Sequence, residues 1–151
     1  VVVLREGQVM QVGSPREVYE QPGSEFVASF MGNATVFDAV ADKLGRVHLG
    51  PLCLPLRLTR PEGHLRLLVR REAWRIAPAC GTGMAGKVLA RSFEGRITQY
   101  RVLTELGELQ VNRFRETRGL QLQAPVSLFL DGPGISVLQR GELSVPQETL
   151  T

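Results

Sequence analysis

Short apolar segments separated by turns constrain this chain more than any other feature of its sequence. From residue 35 onwards, candidate strands recur about every 10 to 15 residues, and glycine- or proline-containing turns separate them. The candidates are residues 35–40, 46–49, 52–58, 64–69, 96–103, 108–112, 126–130 and 135–138. This pattern predicts a mainly β fold, a barrel or sandwich of short antiparallel strands. Residues 87–93 fit either a strand or a helix, and a bulge or bend is expected near Gly95.

The first 32 residues have a different pattern. Residues 1–4 and 9–12 are extended and apolar, and the polar turn between them predicts a β-hairpin. Ser14 and Glu17 have the spacing of a capping box, and Pro15 suits the first helical position. A first short helix is therefore expected after Ser14, and a second one before Gly32.

A shift in charge coincides with this change of pattern. Residues 1–32 contain two arginines and four glutamates, whereas the remainder contains 16 basic and 11 acidic side chains. The shift predicts a domain boundary near Gly32, and hence a unit at 1–32, a β domain at 33–138 and a polar tail at 139–151. The excess of positive charge is mild, so a nucleic-acid partner is not expected.

The residues that usually bind metals are few and widely spaced. Cys53, Cys80, His48 and His64 show no short metal-ligand spacing, so no metal site is predicted. The two thiols are expected to be buried or half-buried and reduced in a cytosol. No apolar run reaches the ~20 residues needed to span a bilayer, and no signal peptide is expected.

Residues 81–87 resemble a phosphate-binding loop, because they read Gly-Thr-Gly-Met-Ala-Gly-Lys. The next residue is Val88, where a triphosphate loop needs Ser or Thr, and residues 78–80 do not continue a strand. We therefore interpret the segment as a connector between two β elements. Ser92, His64 and Asp38 are the nearest approach to a catalytic triad, and nothing in the sequence brings them together, so no catalytic residue is predicted.

Residues 1–22 closely resemble the end of the nucleotide-binding domain of bacterial ABC importer ATPases, and residues 25–32 resemble the helix that follows in that family. These ATPases carry a C-terminal β domain of the transport-associated OB (TOBE) type. Weaker similarities to it are Arg70-Arg71-Glu72, where the family has Arg-Pro-Glu, the strand opening at 86–88, and the aromatic and glycine at 93–95.

The resemblance implies an OB-like (TOBE) barrel preceded by a hairpin and two helices left from a nucleotide-binding domain. A chain that begins without Met inside a strand is then expected to be a piece cut downstream of the catalytic machinery. ATP and magnesium would belong to the longer parent, and this piece would hold no cofactor. The resemblance marks five candidate regulatory or ligand contacts: Arg70, Arg71, Glu72, Ser92 and Gly95.

The expected partners are a second copy of the subunit and, through the parent, membrane permease subunits. The parent is expected in the cytoplasm, at the inner face of the membrane. The spacing over residues 46–56 looks most like sulfate/thiosulfate or ferric-ion importers, with spermidine/putrescine importers next. Four aromatic residues are expected in the core and three arginines at a solvated edge: Phe93, Tyr100, Phe114 and Phe129, and Arg113, Arg115 and Arg118.

Two other functions remain open at this stage. One is a β domain that senses a small oxyanion such as sulfate or molybdate, for which arginine clusters would supply charge. The other is an oligonucleotide-binding barrel that would use residues 96–103 and 112–115. The low aromatic content of 6% and the mild charge disfavour the second.

Overall fold

The computed structural model describes residues 1–32, 34–58, 63–114, 118–131 and 134–138. The strands are β1 (Val2–Arg5), β2 (Gln8–Val12), β3 (Ala34–Ala41), β4 (Arg46–Leu49), β5 (Leu52–Arg57), β6 (Gly63–Arg70), β7 (Trp74–Pro78), β8 (Met84–Glu94), β9 (Ile97–Thr104), β10 (Gly107–Phe114), β11 (Pro125–Leu130) and β12 (Ile135–Leu138). The helices are α1 (Pro15–Glu20) and α2 (Glu25–Phe30), and a 3₁₀ turn covers Arg71–Ala73. The fold is mainly β, as predicted. The tail at 139–151, Arg115 and the turn residues 60–62 lie outside the described residues.

The capping box predicted at the start of α1 is confirmed. The Glu17 amide donates to Ser14 Oγ at 3.2 Å, and the Ser14 amide donates to the Glu17 carboxylate at 2.8 Å. Hydrogen bonds from the backbone and the side chain of Ser14 to the carboxylate lower the pKa of Glu17. Ser24 caps α2 in a similar way, because its hydroxyl accepts from the Val27 amide. The first helix therefore begins after Ser14 and the second lies before Gly32, as the sequence predicts.

The β1–β2 hairpin is apolar on both faces. Its inner face packs on the two helices in a small cluster of its own, built from Val3, Val18 and Val27 with Met10, Phe26 and Met31 around them. Its outer face carries four exposed aliphatic side chains: Val2, Leu4, Val9 and Val12. Apolar residues on both faces are typical of strands covered on both sides.

The five strands β7 to β11 form an antiparallel sheet in the order β10-β9-β8-β11-β7, which we call the barrel sheet. Its two edge strands, β10 and β7, also contact each other, so the sheet curls into a barrel with one open seam. The ambiguous segment at 87–93 lies within β8 and is a strand. The register shift lies between Val88 and Ala90, so the bulge lies there and not near Gly95. Gly95 instead occupies the following turn with a φ of 66°.

The flanking sheet contains β3 to β6 and β12 in the antiparallel order β12-β6-β3-β4-β5. The last strand, β12, returns across the molecule and pairs with β6, with Val137 opposite Leu67. Side chains of both sheets share one core that includes Leu49, Leu67 and Tyr100, all 0% exposed. The two sheets therefore form one packed unit.

The aromatic residues agree only partly with the prediction. Tyr100 is fully buried and Phe129 is half-buried, but Phe93 and Phe114 are 74% and 63% exposed. Phe93 is next to the last residue of β8 and Phe114 is the last residue of β10. Both side chains therefore lie beyond the end of the core, and their placement in the core was wrong. The side chain of Arg118 is exposed, whereas Arg113 is half-buried.

Strand β7 was missed by the sequence analysis. Its residues alternate between buried and exposed, with Trp74 and Ile76 facing the core. The sequence also favours a glycine-containing turn over residues 77–83, whereas β7 continues through Ala77 and Pro78. The alternation of apolar and charged residues in Trp74-Arg75-Ile76 is the signal that could have identified this strand.

Candidate functional site

In the part of the chain that the structure describes, Arg70, the last residue of β6, makes several polar contacts with the two helices. Its side chain is buried, with 3% exposure. The guanidinium lies over the Tyr19 ring at 3.6 Å from the centroid, and it donates to the carbonyl oxygens of Tyr19 and Gly32. The backbone amide of Arg70 donates to the Gly134 carbonyl at 2.8 Å. Arg70 therefore contacts the ends of both helices and the loop before β12.

Tyr19 is held by a second contact with the same stretch of chain. Its hydroxyl donates to Glu72 Oε1 at 2.5 Å. The hydrogen bond to Glu72, together with burial, raises the pKa of Tyr19, so the phenol stays protonated and remains a donor. We call Tyr19, Arg70 and Glu72 the joint.

Arg66 of β6 forms two ion pairs at the surface. Arg66 pairs with Glu25 of α2 at 3.0 Å and with Asp38 of β3 at 3.4 Å. All three side chains are substantially exposed. Exposed pairs of this kind contribute little, on the order of 0–1 kcal/mol. The buried contacts of Arg70 therefore define the junction.

The structure brings together three of the five candidate contacts. Arg70 and Glu72 belong to the joint, and Arg71 lines a neighbouring cavity of about 190 Å³ with Trp74 among its walls. Ser92 and Gly95 are exposed at the far end of the β8–β9 hairpin. No contact recorded among the described residues links those two to the joint.

A cleft of about 560 Å³ lies at the open seam of the barrel, where β7 and β10 approach each other. Its walls are Glu72, Trp74, Arg75, Ile76, Ala77, Asn112, Arg113, Phe114 and Phe129. Arg75 pairs with Asp131 at 2.7 Å, so its charge is already partly compensated. The cleft was missed by the sequence analysis because β7, which forms one wall, was missed.

Both cysteines are exposed and free, so the expectation of buried or half-buried thiols is wrong. Hydrogen bonds with Ser127 and Thr82 lower the pKa of the Cys80 thiol from 9.0 to about 7. Thr82 Oγ1 lies 3.4 Å from the sulfur. At neutral pH a large share of Cys80 is therefore thiolate.

A second local network closes the turn between β3 and β4. Asp42 accepts from Arg46 Nε at 2.7 Å, contacts His48 Nε2 at 3.2 Å and accepts from the Leu44 amide at 2.9 Å. Burial raises the pKa of the Asp42 carboxyl, but the hydrogen bonds from Arg46, His48 and Leu44 outweigh it and hold the pKa below its usual range.

In the part of the chain that the structure describes, no group of three or more metal-ligating side chains comes together. No described helix has the length and apolar character to cross a membrane.

The segment that resembles a phosphate loop is explained by β packing. Residues 79–83 join β7 to β8, and β8 is a strand where both phosphate motifs need a helix. Gly81 and Gly83 have φ angles of 76° and 77°, which favour glycine. A Cβ on Gly86 would lie 2.6 Å from Leu128 Cδ1 and 2.7 Å from Val102 Cγ1. Each glycine therefore has a structural reason unrelated to phosphate.

The five-stranded barrel places the chain in the OB-like class of β domains. The cytoplasmic molybdate-binding protein ModG, in a crystal form with molybdate bound, has a similar fold, with a TM-score of 0.54 and 14% identity. The match covers 68% of this chain and 94% of ModG. At this identity the likeness shows the fold alone, and the OB-like fold expected from the sequence is confirmed.

Relatives in sequence include ATP-binding proteins named for the import of Fe(3+) ions. The chain is 34% identical over 143 residues to the Fe(3+) ions import ATP-binding protein FbpC of Agrobacterium fabrum, and 31% identical over 150 residues to that of Brucella abortus. It is 29% identical over 141 residues to that of Vibrio cholerae. These matches cover 91%, 93% and 86% of this chain, but only 40%, 41% and 40% of the relatives. No protein-family model matches. The resemblance to ABC importer ATP-binding subunits is confirmed.

Proposed function

We propose that this chain is the C-terminal regulatory and dimerisation part of the ATP-binding subunit of a bacterial ABC importer. In this proposal residues 1–32 are the end of a nucleotide-binding domain, and residues 33–138 are a TOBE-type regulatory domain. The observation that carries the proposal is the match of 91% of this chain to 40% of an Fe(3+) import ATP-binding protein.

The two-sided hairpin supports the same proposal. Val2, Leu4, Val9 and Val12 are each more than half exposed on its outer face, although strands apolar on both faces are usually covered on both. A two-stranded hairpin is also marginal by itself. Further strands or helices of a longer protein would cover this face.

In this proposal the 151-residue chain (the piece) and the longer protein that contains it (the parent) have different roles. The piece itself is non-catalytic, and ATP and magnesium bind to the parent. The parent pairs with a second copy and with permease subunits at the cytoplasmic face of the membrane. The ion named for the relatives, Fe(3+), is the cargo that we propose.

The coding sequence upstream of Val1 provides the first test. We expect it to continue into a nucleotide-binding domain with a phosphate loop, a signature motif and a switch histidine. An unrelated domain there, or a start codon immediately before Val1, contradicts the proposal.

The purified longer protein provides the second test. We expect it to hydrolyse ATP and to remain dimeric by light scattering after the ATP is consumed, whereas a form lacking residues 33–151 separates into monomers. The 151-residue chain is the matched non-catalytic control. A longer protein that is strictly monomeric at high concentration, or whose dimer is unaffected by the deletion, contradicts the dimerising role.

Oxyanion binding by the β domain is a second candidate function. The ModG-like fold and the cleft that Arg75, Asn112 and Arg113 line favour it. Titration calorimetry with molybdate, sulfate and phosphate tests it, with Arg113→Gln as the matched variant. Binding heat with one anion that is lost in Arg113→Gln supports this function. The absence of binding heat with all three anions contradicts it.

A further inference from the structure

We propose that Tyr19, Arg70 and Glu72 act as a coupling that makes the helical segment and the β domain move as one body. The joint has two states in this proposal. In the first, the Arg70 guanidinium contacts the helix ends and the Tyr19 ring. In the second, the helices are separated from the domain. The inference concerns contacts within this chain and does not depend on the proposed transport function.

The chemistry of the contacts explains why the coupling is strong. Tyr19 lies in the last turn of α1, and Gly32 follows the end of α2. Carbonyl groups at helix C-termini lack helical donors and carry partial negative charge. Arg70 donates to both carbonyls and lies over an aromatic ring, which is a further favourable position for a cation. A single side chain therefore binds both helix ends.

The burial of Arg70 makes separation an all-or-none event. Arg70 is 3% exposed and so has little contact with water, and within the described ranges it forms no ion pair with a carboxylate. A partial displacement of the helices would remove the carbonyl and aromatic partners of Arg70 before water could replace them, and a charge without such partners is costly. A small displacement is therefore resisted, and a large one needs full solvation of Arg70.

The β-domain side of the joint is rigidly supported. The Gly134 carbonyl accepts from the Arg70 amide, and a Cβ on Gly134 would lie 3.3 Å from the Cβ of Arg70 and 3.4 Å from that of Ala73. Glu72 lies in the 3₁₀ turn that leads directly into β7. The joint is thus continuous with the core strands β6 and β7, and a displacement of Tyr19 is transmitted to the domain.

Hydrogen–deuterium exchange on the 151-residue chain tests the coupling through three variants. Arg70→Lys keeps the charge but loses the planar stacking and the paired donors. Tyr19→Phe keeps the ring and removes only the hydroxyl bound to Glu72. Arg66→Gln, which breaks the exposed pair with Glu25, is the matched control.

We expect Arg70→Lys to speed exchange in residues 15–32 by about tenfold or more, and Tyr19→Phe by about threefold or more, while β8 to β11 keep their protection. Arg66→Gln should change exchange by less than about twofold. NMR relaxation should show the helices of Arg70→Lys tumbling separately from the barrel. Exchange in residues 15–32 that is unchanged in Arg70→Lys, or that rises equally throughout the chain, overturns the proposal.

Discussion

Alanine substitution of Gly81, Gly83 and Gly86 distinguishes a β-packing origin of these glycines from a phosphate-binding one. Gly81 has a positive φ and no atom within 4 Å of a built Cβ. Gly86 has an ordinary φ but a Cβ would contact Leu128 Cδ1 at 2.6 Å and Val102 Cγ1 at 2.7 Å. Gly83 has both an unfavourable φ for other residues, at 77°, and too little space for a Cβ, which would lie 2.6 Å from the Leu128 carbonyl oxygen.

The three sites therefore differ in the expected loss of stability. A left-handed residue other than glycine costs about 1–2 kcal/mol, which is the expected effect of Gly81→Ala. Overpacking of a buried contact costs about 1–3 kcal/mol, which applies to Gly86→Ala. Gly83→Ala incurs both and should lose about 2–5 kcal/mol. For a chain of this size, each kcal/mol lowers the melting temperature by roughly 2–4 °C.

Thermal unfolding followed by circular dichroism, with and without Mg-ATP, measures these effects. We expect Gly83→Ala to have the lowest melting temperature. We also expect Mg-ATP to leave the melting temperatures of the unsubstituted chain and the three variants unchanged. A nucleotide that binds the folded state would raise them. If Gly81→Ala is as damaging as Gly83→Ala, the packing argument is incorrect. If Mg-ATP stabilises the unsubstituted 151-residue chain and the variants lose that stabilisation, the segment is a phosphate loop.

Three further predictions concern side chains. Tyr100→Phe should cost about 1–3 kcal/mol in chemical denaturation, because the buried hydroxyl accepts from the Leu120 amide at 2.9 Å and its removal leaves that donor unpaired. Alkylation of Cys80 by iodoacetamide should rise with a midpoint at pH about 7, and Ser127→Ala should move the midpoint upwards; a midpoint near 9 in the parent would contradict the assignment. The folded pKa of Asp42 is depressed, so its stabilisation is complete above its ordinary pKa of 3.8 and is lost as the pH falls further. Asp42→Asn should therefore reduce the loss of melting temperature between about pH 4 and pH 2, and an unaltered acid profile would contradict this.

The elements that could be predicted from the sequence are those with local signals. The capping box of Ser14 and Glu17 needs only a three-residue spacing, and it placed α1 correctly. Strand β4 at Arg46–Leu49 lies between two glycine turns and was predicted at its observed bounds. The bulge was misplaced because its position depends on how β8 bends around the core, and nearby residues carry no signal for that.

The candidate site was only partly predictable, because its defining contact is not local. The motif position identified Arg70 and Glu72, but their partner Tyr19 lies 51 and 53 residues away in the chain. Aromatic residues near strand ends, such as Phe93, follow the same pattern as core residues, and only the length of the core decides their exposure. Tertiary packing of this kind cannot be inferred from spacing.

The exposed outer face of the hairpin affects which substitutions the chain should tolerate. Val2, Leu4, Val9 and Val12 contribute little to the buried clusters described here, since each is more than half exposed. Polar substitutions at these four positions should be tolerated in the 151-residue chain and should improve its solubility. If a longer protein covers this face, as proposed, the same substitutions should destabilise that protein, because they would bury polar groups without partners. A comparison of substitution tolerance in the short and longer proteins would show which residues serve a neighbour rather than their own fold.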